Sequence, residues 1–125
     1  MKIVVGGQIE KTALAAALTN EFIKQGQVVE IAVLNDIEAA MAIQSGNADY
    51  YFGACNTGGG GALAMAIAIL GASRCATLGM PGKILSENEI AQAVNSGKVA
   101  FGFTAQDIEI IVPLVVRLLV AKNGS

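Results

Sequence analysis

Histidine occurs nowhere in these 125 residues. Its absence removes the Ser-His-Asp and Cys-His catalytic arrangements and takes away the commonest nitrogen ligand of a transition metal, so neither a metal site nor a cofactor is expected. Cysteine is scarce: Cys55 and Cys75 are too few for a disulfide framework and lack CxxC spacing, which fits reduced thiols in a cytoplasm. Charge is scarce as well. Asp, Glu, Lys and Arg make up 14% of the chain, and the net charge of −2 comes with no basic cluster, which argues against nucleic acid as a partner. Long hydrophobic runs are missing. The longest, Ala62–Ala72 and Ile110–Val116, fall short of the roughly 20 residues a membrane helix needs, so no membrane partner is expected. Met1 leads straight into a strand-like Lys2–Gly6 rather than into a secretory signal.

What is present is apolar. With 54% hydrophobic residues and so few charges, part of the apolar surface is expected to face another copy of the chain in a homo-oligomer. The length fits one domain, 1–125, with a core of its own.

Strand and helix signals alternate five times. Ile3–Val5 is a short apolar strand ending at Gly6-Gly7, and Lys11–Gln25 carries helical spacing through Leu14, Ala15, Leu18 and Phe22 before Gly26 stops it. Val28–Leu34 is a second strand, and Asn35 with Glu38 marks the start of a helix that runs to about Ser45 and closes at Gly46. Asp49–Ala54 is the third strand and Gly61–Leu70 the third helix. Arg74–Leu78 is the fourth strand, followed by a turn at Gly79–Gly82. Ser86 and Glu89 form a capping box for a helix to Ser96, and Val99–Phe103 is the fifth strand. Thr104 is read as the cap of a last, apolar helix that Pro113 should kink or restart. Repeating βα units of this kind predict a three-layer α/β/α sandwich on a five-stranded, mostly parallel, Rossmann-like sheet.

Chemistry concentrates at the junction of the third strand and third helix, Cys55-Asn56-Thr57-Gly58-Gly59-Gly60-Gly61. A strand, a glycine loop and a helix N-terminus together present backbone N–H groups to an anion, at the strand ends where open parallel sheets bind ligands. A thiol beside a helix N-terminus is a candidate base or nucleophile; the plain alternative is a small buried residue. Thr57 can cap the helix or donate its hydroxyl, and Gln8 and Lys83 stand in other loops that can reach a ligand there. Several motifs are excluded. A cysteine-phosphatase loop needs arginine where Gly61 stands, and a P-loop needs Lys-Ser/Thr where Ala62-Leu63 follow the glycines. Gly59-x-Gly61-x-x-Ala64 fits a loose dinucleotide fingerprint, yet it follows the third strand and lacks the acidic residue for a ribose.

Two resemblances rest on these residues. Asn35–Met41, then Ser45-Gly46-x-x-Asp49-Tyr50-Tyr51-x-Gly53-Ala54-Cys55-Asn56-Thr57-Gly58, with Gly97–Gly102 and Pro113 later, resembles the YhfU-like family of uncharacterised small bacterial proteins. More distantly, Ser45-Gly46-x-Ala48-Asp49 and Gly53-x-Cys55-x-Thr57-Gly58-x-Gly60 is similar to the ribose-5-phosphate isomerase B pattern. That second resemblance implies a small phosphorylated or carboxylated carbohydrate ligand, with Cys55 as the base that moves a proton between adjacent carbons and Thr57 with Gly58–Gly60 as the anion cradle. The chain departs from that pattern in two respects: the histidines that open the sugar ring are missing, and Gly7-Gln8 stands where an Asp-His pair is expected, which argues against isomerisation of a cyclic sugar phosphate. A non-catalytic accessory, sensing or structural subunit is the alternative the sequence leaves open.

Overall fold

A computed structural model describes residues 1–56 and 59–123. The elements follow the order β1 (Lys2–Gly7), α1 (Lys11–Lys24), β2 (Glu30–Val33), α2 (Asp36–Gln44), β3 (Tyr50–Cys55), α3 (Gly59–Leu70), β4 (Cys75–Thr77), β5 (Gly79–Met80), β6 (Lys83–Ile84), α4 (Glu87–Asn95), β7 (Ala100–Thr104) and α5 (Ile108–Asn123). Short 3₁₀ turns at Ala72–Arg74 and Ala105–Asp107 precede β4 and α5. Five strands form one sheet in the order β2-β1-β3-β7-β4, every pair parallel, and β5 with β6 makes a separate antiparallel hairpin.

The two faces of the sheet differ because alternate residues of each strand face opposite ways. Ile3 and Val5, Phe52 and Ala54, and Phe101 and Phe103 face α1, α4 and α5, where they pack with Leu14, Leu18, Ile90, Ile111 and Val115. The Phe52 and Phe101 rings lie 5.4 Å apart between centroids. The opposite face carries Val4, Tyr51 and Ala100 against Ala39, Ala40, Leu63 and Ala66 of α2 and α3. Small residues on that side let the helices lie close to the sheet.

Local signals explain most of the boundaries. Gly26 (φ 70°) and Gly46 (φ 81°) end α1 and α2 in the left-handed conformation that only glycine adopts without strain. The Glu38 N–H donates to Asn35 Oδ1 at 2.8 Å, and Ser86 and Glu89 cap α4 reciprocally at 3.2 and 3.1 Å.

Other expectations are corrected. α3 starts at Gly59, two residues ahead of the expected Gly61. The turn at Gly79–Gly82 lies within a hairpin whose strands are too short to show periodicity. Thr104 makes no side-chain cap, because a 3₁₀ turn separates it from α5. α5 runs on through Pro113 without restarting; the carbonyl that loses its donor there belongs to exposed Glu109, where water can satisfy it. Met41 and Met80 are exposed.

Candidate functional site

From β1 the chain moves to β2 on one side, then returns past β1 to reach β3 on the other. Such a reversal leaves a crevice between the C-terminal ends of β1 and β3, and in open α/β sheets that crevice is where ligands sit. Gly7-Gln8 leaves one wall and Cys55 stands on the other. The loop after β1 is pinned to β3, since the N–H groups of Gln8 and Ile9 both donate to the Ala54 carbonyl, at 3.2 and 3.4 Å. Gly7 has φ 79°, and a Cβ there would lie 2.8 Å from the Ala54 nitrogen, so both the turn and the close approach require glycine.

A row of glycines crosses the sheet beneath α3. Gly6, Gly53 and Gly102 stand in register on β1, β3 and β7. A Cβ on Gly53 would lie 2.7 Å from the Ala62 carbonyl oxygen, and one on Gly102 would lie 2.6 Å from Leu63 Cγ. The first turns of α3 therefore rest directly on backbone. A Cβ on Gly6 would meet the Tyr51 ring at 2.7 Å, so that ring occupies the space over β1. Its hydroxyl accepts from the Gly7 N–H at 3.0 Å and donates to the Ala62 carbonyl at 3.1 Å, tying the end of β1 to α3. Burial pushes the Tyr51 pKa up to about 12, with the Gly7 hydrogen bond pulling the other way, so the phenol stays protonated and cannot act as a base near neutrality. No local pattern in the sequence marks Tyr51 for this role, although Gly6 leaves the space that its ring fills.

Cys55, almost fully buried, ends β3 beneath this helix end. A Cβ on Gly61 would lie 2.7 Å from Gln8 Oε1 and 3.4 Å from Cys55 Cβ, so the structure brings Gln8, Cys55 and Gly61 together. Gly59 and Gly60 form the first residues of α3, and exposed Asn56 follows the strand; Thr57 and Gly58 lie outside the described residues. Lys83 is exposed on β6, where its charge helps hold the Glu89 carboxyl below the ordinary range, after the larger effect of the Ser86 hydrogen bonds. Arg117 reaches Glu87 at 3.1 Å in a surface pair. Cys75 opens β4, where burial raises its pKa against the opposing pull of Lys98 and Arg74.

Among the described residues no three His, Cys, Asp or Glu side chains gather to hold a metal, and no helix is long and apolar enough to cross a membrane. A cavity of about 310 Å³ lined by Phe22, Val28, Asp49 and Asn123 opens at the other, N-terminal edge of the sheet. At the C-terminal edge, the groups that meet are the Gln8 carboxamide, a thiol and a helix N-terminus. This set suits an anion, because the first N–H groups of a helix lack intrahelical partners and carry the positive end of its dipole.

Comparison with known proteins agrees with this picture of the fold. The family described as "Protein of unknown function DUF2620" matches residues 1–119. The uncharacterised protein YhfU of Escherichia coli K12 is 43% identical over 90 residues, 72% of this chain and 77% of the relative. Among solved structures, ribose-5-phosphate isomerase B of Giardia lamblia superposes with a TM-score of 0.62 at 20% identity, covering 97% of this chain and 87% of that one. A 4-deoxy-L-threo-5-hexosulose-uronate ketol-isomerase complexed with a tartrate gives 0.63 at 17% identity, covering 97% of this chain and 64% of that one. At such identities the likeness to the isomerases is one of fold.

Proposed function

This chain belongs to the DUF2620 family, and we propose from its own geometry that the C-terminal edge of the sheet binds a small anionic, carbohydrate-like metabolite. The binding residues are Gln8, Cys55, Asn56 and the start of α3 at Gly59–Gly61, with Thr57 and Gly58 between them. One observation carries the reading: α3 begins on a glycine row at the β1/β3 reversal, with Gln8 and Cys55 converging on Gly61. The anion would take its hydrogen bonds from backbone N–H groups, which need no counter-charge from a side chain. The structural neighbours named as isomerases of a sugar phosphate and of a hexosulose uronate suggest phosphate or carboxylate as the anionic group. Lys83 is kept as an outer charge that draws the ligand in rather than as a contact.

The test is calorimetric titration of inorganic phosphate, ribose 5-phosphate and tartrate into wild type and Gly61→Ala. The new methyl crowds the far end of the flexible Gln8 side chain and makes an ordinary contact with Cys55 Cβ, and alanine is the better helix former by about 1 kcal/mol, so the variant should fold at least as well as wild type. It should nevertheless lose anion binding, because the methyl fills the cradle. Unchanged affinity in Gly61→Ala, or no anion bound by wild type, removes the proposal.

A second reading is favoured by a thiol lying under a helix end. In it the Cys55 thiolate takes a proton from a carbon next to a carbonyl, leaving an enediolate held by the helix N–H groups, and the proton returns to the neighbouring carbon. With no histidine in the chain to open a ring, the ligand would have to be open-chain. Exchange of the ligand's carbon-bound hydrogen for solvent deuterium, abolished in Cys55→Ser, would support this reading; binding without exchange leaves a sensing or accessory role.

The same proposal includes association of copies. Val33 on the β2 edge and Ile37 and Met41 on one face of α2 are exposed, a patch that a second chain would cover. Light scattering at the 12.7 kDa monomer mass would remove that part.

A further inference from the structure

Thr104 is buried, at 1% exposure, and its Oγ1 has no hydrogen-bond partner among the described residues. Buried hydroxyls in folded proteins are normally satisfied, so an orphan calls for an explanation. Its location supplies one. Thr104 is the last residue of β7 and stands in register with Cys55, the last residue of β3. Ala100, two positions before Gly102 on the same strand, packs with the α2/α3 cluster, and a Cβ on Gly102 would meet Ala62 and Leu63 of α3. By strand alternation Thr104 faces the same way as both, while Phe101 and Phe103 face the opposite cluster. Its hydroxyl thus belongs to the sheet surface beneath the start of α3, one strand over from Cys55.

We infer that Thr104 is a ligand-binding residue of this site, and that its hydroxyl pairs with an uncharged oxygen of the ligand, a hydroxyl or a carbonyl. The inference rests on the anion-binding reading and narrows it. The helix end takes the charged group, and the strand end, deeply buried, takes a neighbouring oxygen that costs far less to bury than a charge. The ligand class is then an anion carrying hydroxyl or carbonyl groups, and a bare inorganic anion satisfies only half the site. A hydroxyl can donate or accept, so either oxygen type fits.

Thr104→Val and Thr104→Ser separate this role from a structural one. Valine keeps the shape and deletes an unpaired hydroxyl, so the ligand-free variant should melt at or above the wild-type temperature. Its affinity for ribose 5-phosphate should fall about five- to tenfold, while inorganic phosphate binds as to wild type and Thr104→Ser retains most of the affinity. A drop in the melting temperature of ligand-free Thr104→Val makes the hydroxyl structural and overturns the inference. Equal ribose 5-phosphate binding by wild type and Thr104→Val also overturns it and leaves the anion reading standing. If wild type binds neither probe, both fall together.

Discussion

Replacing Tyr51 with phenylalanine keeps the ring over Gly6 and removes one oxygen that joins two elements. The Ala62 carbonyl, inside α3, can still receive its own helical hydrogen bond. The Gly7 N–H, 3.0 Å from the Tyr51 oxygen, loses its side-chain acceptor in a buried position. A stranded buried donor costs about 1–3 kcal/mol, so Tyr51→Phe should be less stable by about 2 kcal/mol at pH 8. The pH dependence provides a second, independent reading. The folded phenol has a pKa of about 12 against 10.0 for an exposed tyrosine, so the folded state holds this proton more tightly than the unfolded chain does. Its contribution is complete below pH 10 and drains away as the pH rises from about 10 toward 12, by up to about 3 kcal/mol. Urea unfolding of both proteins at pH 8 and pH 11 measures the effect. The wild-type advantage should shrink at the higher pH, since only wild type carries the titrating phenol. An advantage that stays constant with pH, or a variant as stable as wild type at pH 8, would refute the clamp described here.

Further predictions follow from other contacts. Gly53→Ala puts a methyl 2.7 Å from the Ala62 carbonyl oxygen, which belongs to backbone and cannot swing aside; α3 must lift, at a cost of about 1–3 kcal/mol by thermal melting, and a variant as stable as wild type would show that the helix does not rest on the glycine row. Glu10, the residue before α1, holds φ 55°, so Glu10→Gly should be neutral or stabilising by up to about 1 kcal/mol, and a lowered melting temperature would count against strain there. Ser86→Ala removes the α4 cap and should cost about 1 kcal/mol. The Ser86 hydrogen bonds, the backbone one first, hold the Glu89 carboxyl below its ordinary pKa, so the stability that this carboxylate contributes should be present above the ordinary glutamate range and fade as the pH falls through the lowered value; a wild-type advantage over Glu89→Gln that stays the same in acid would contradict it.

The layout of strands and helices was legible because periodicity, glycine stops and capping pairs all pointed the same way, as at Gly26, Gly46 and Ser86–Glu89. The β5–β6 hairpin was not, since two-residue strands carry no period. The course of α5 through Pro113 depended on a neighbouring carbonyl being exposed, which no local pattern records. At the site, Cys55, Gln8 and the glycines could be nominated from sequence, and the fold then brought Gln8, Cys55 and Gly61 together. Thr104 was misread as a cap, and the clamp made by the Tyr51 hydroxyl went unread, for the same physical reason. Each looked locally ordinary, a β-former and a helix cap, and each takes its role from strand register: Tyr51 over Gly6, and Thr104 level with Cys55. Register is a long-range property, and a single sequence does not display it.

The most direct test of the anion site is a backbone-amide NMR titration of the wild-type chain with ribose 5-phosphate. The account predicts saturable shifts concentrated at Gln8, Cys55, Asn56, Gly59–Gly61 and Thr104, where the ends of β1, β3 and β7 meet α3. Shifts gathered instead around Phe22, Val28, Asp49 and Asn123 at the opposite edge, or no saturable shifts from ribose 5-phosphate, phosphate or tartrate, would contradict it.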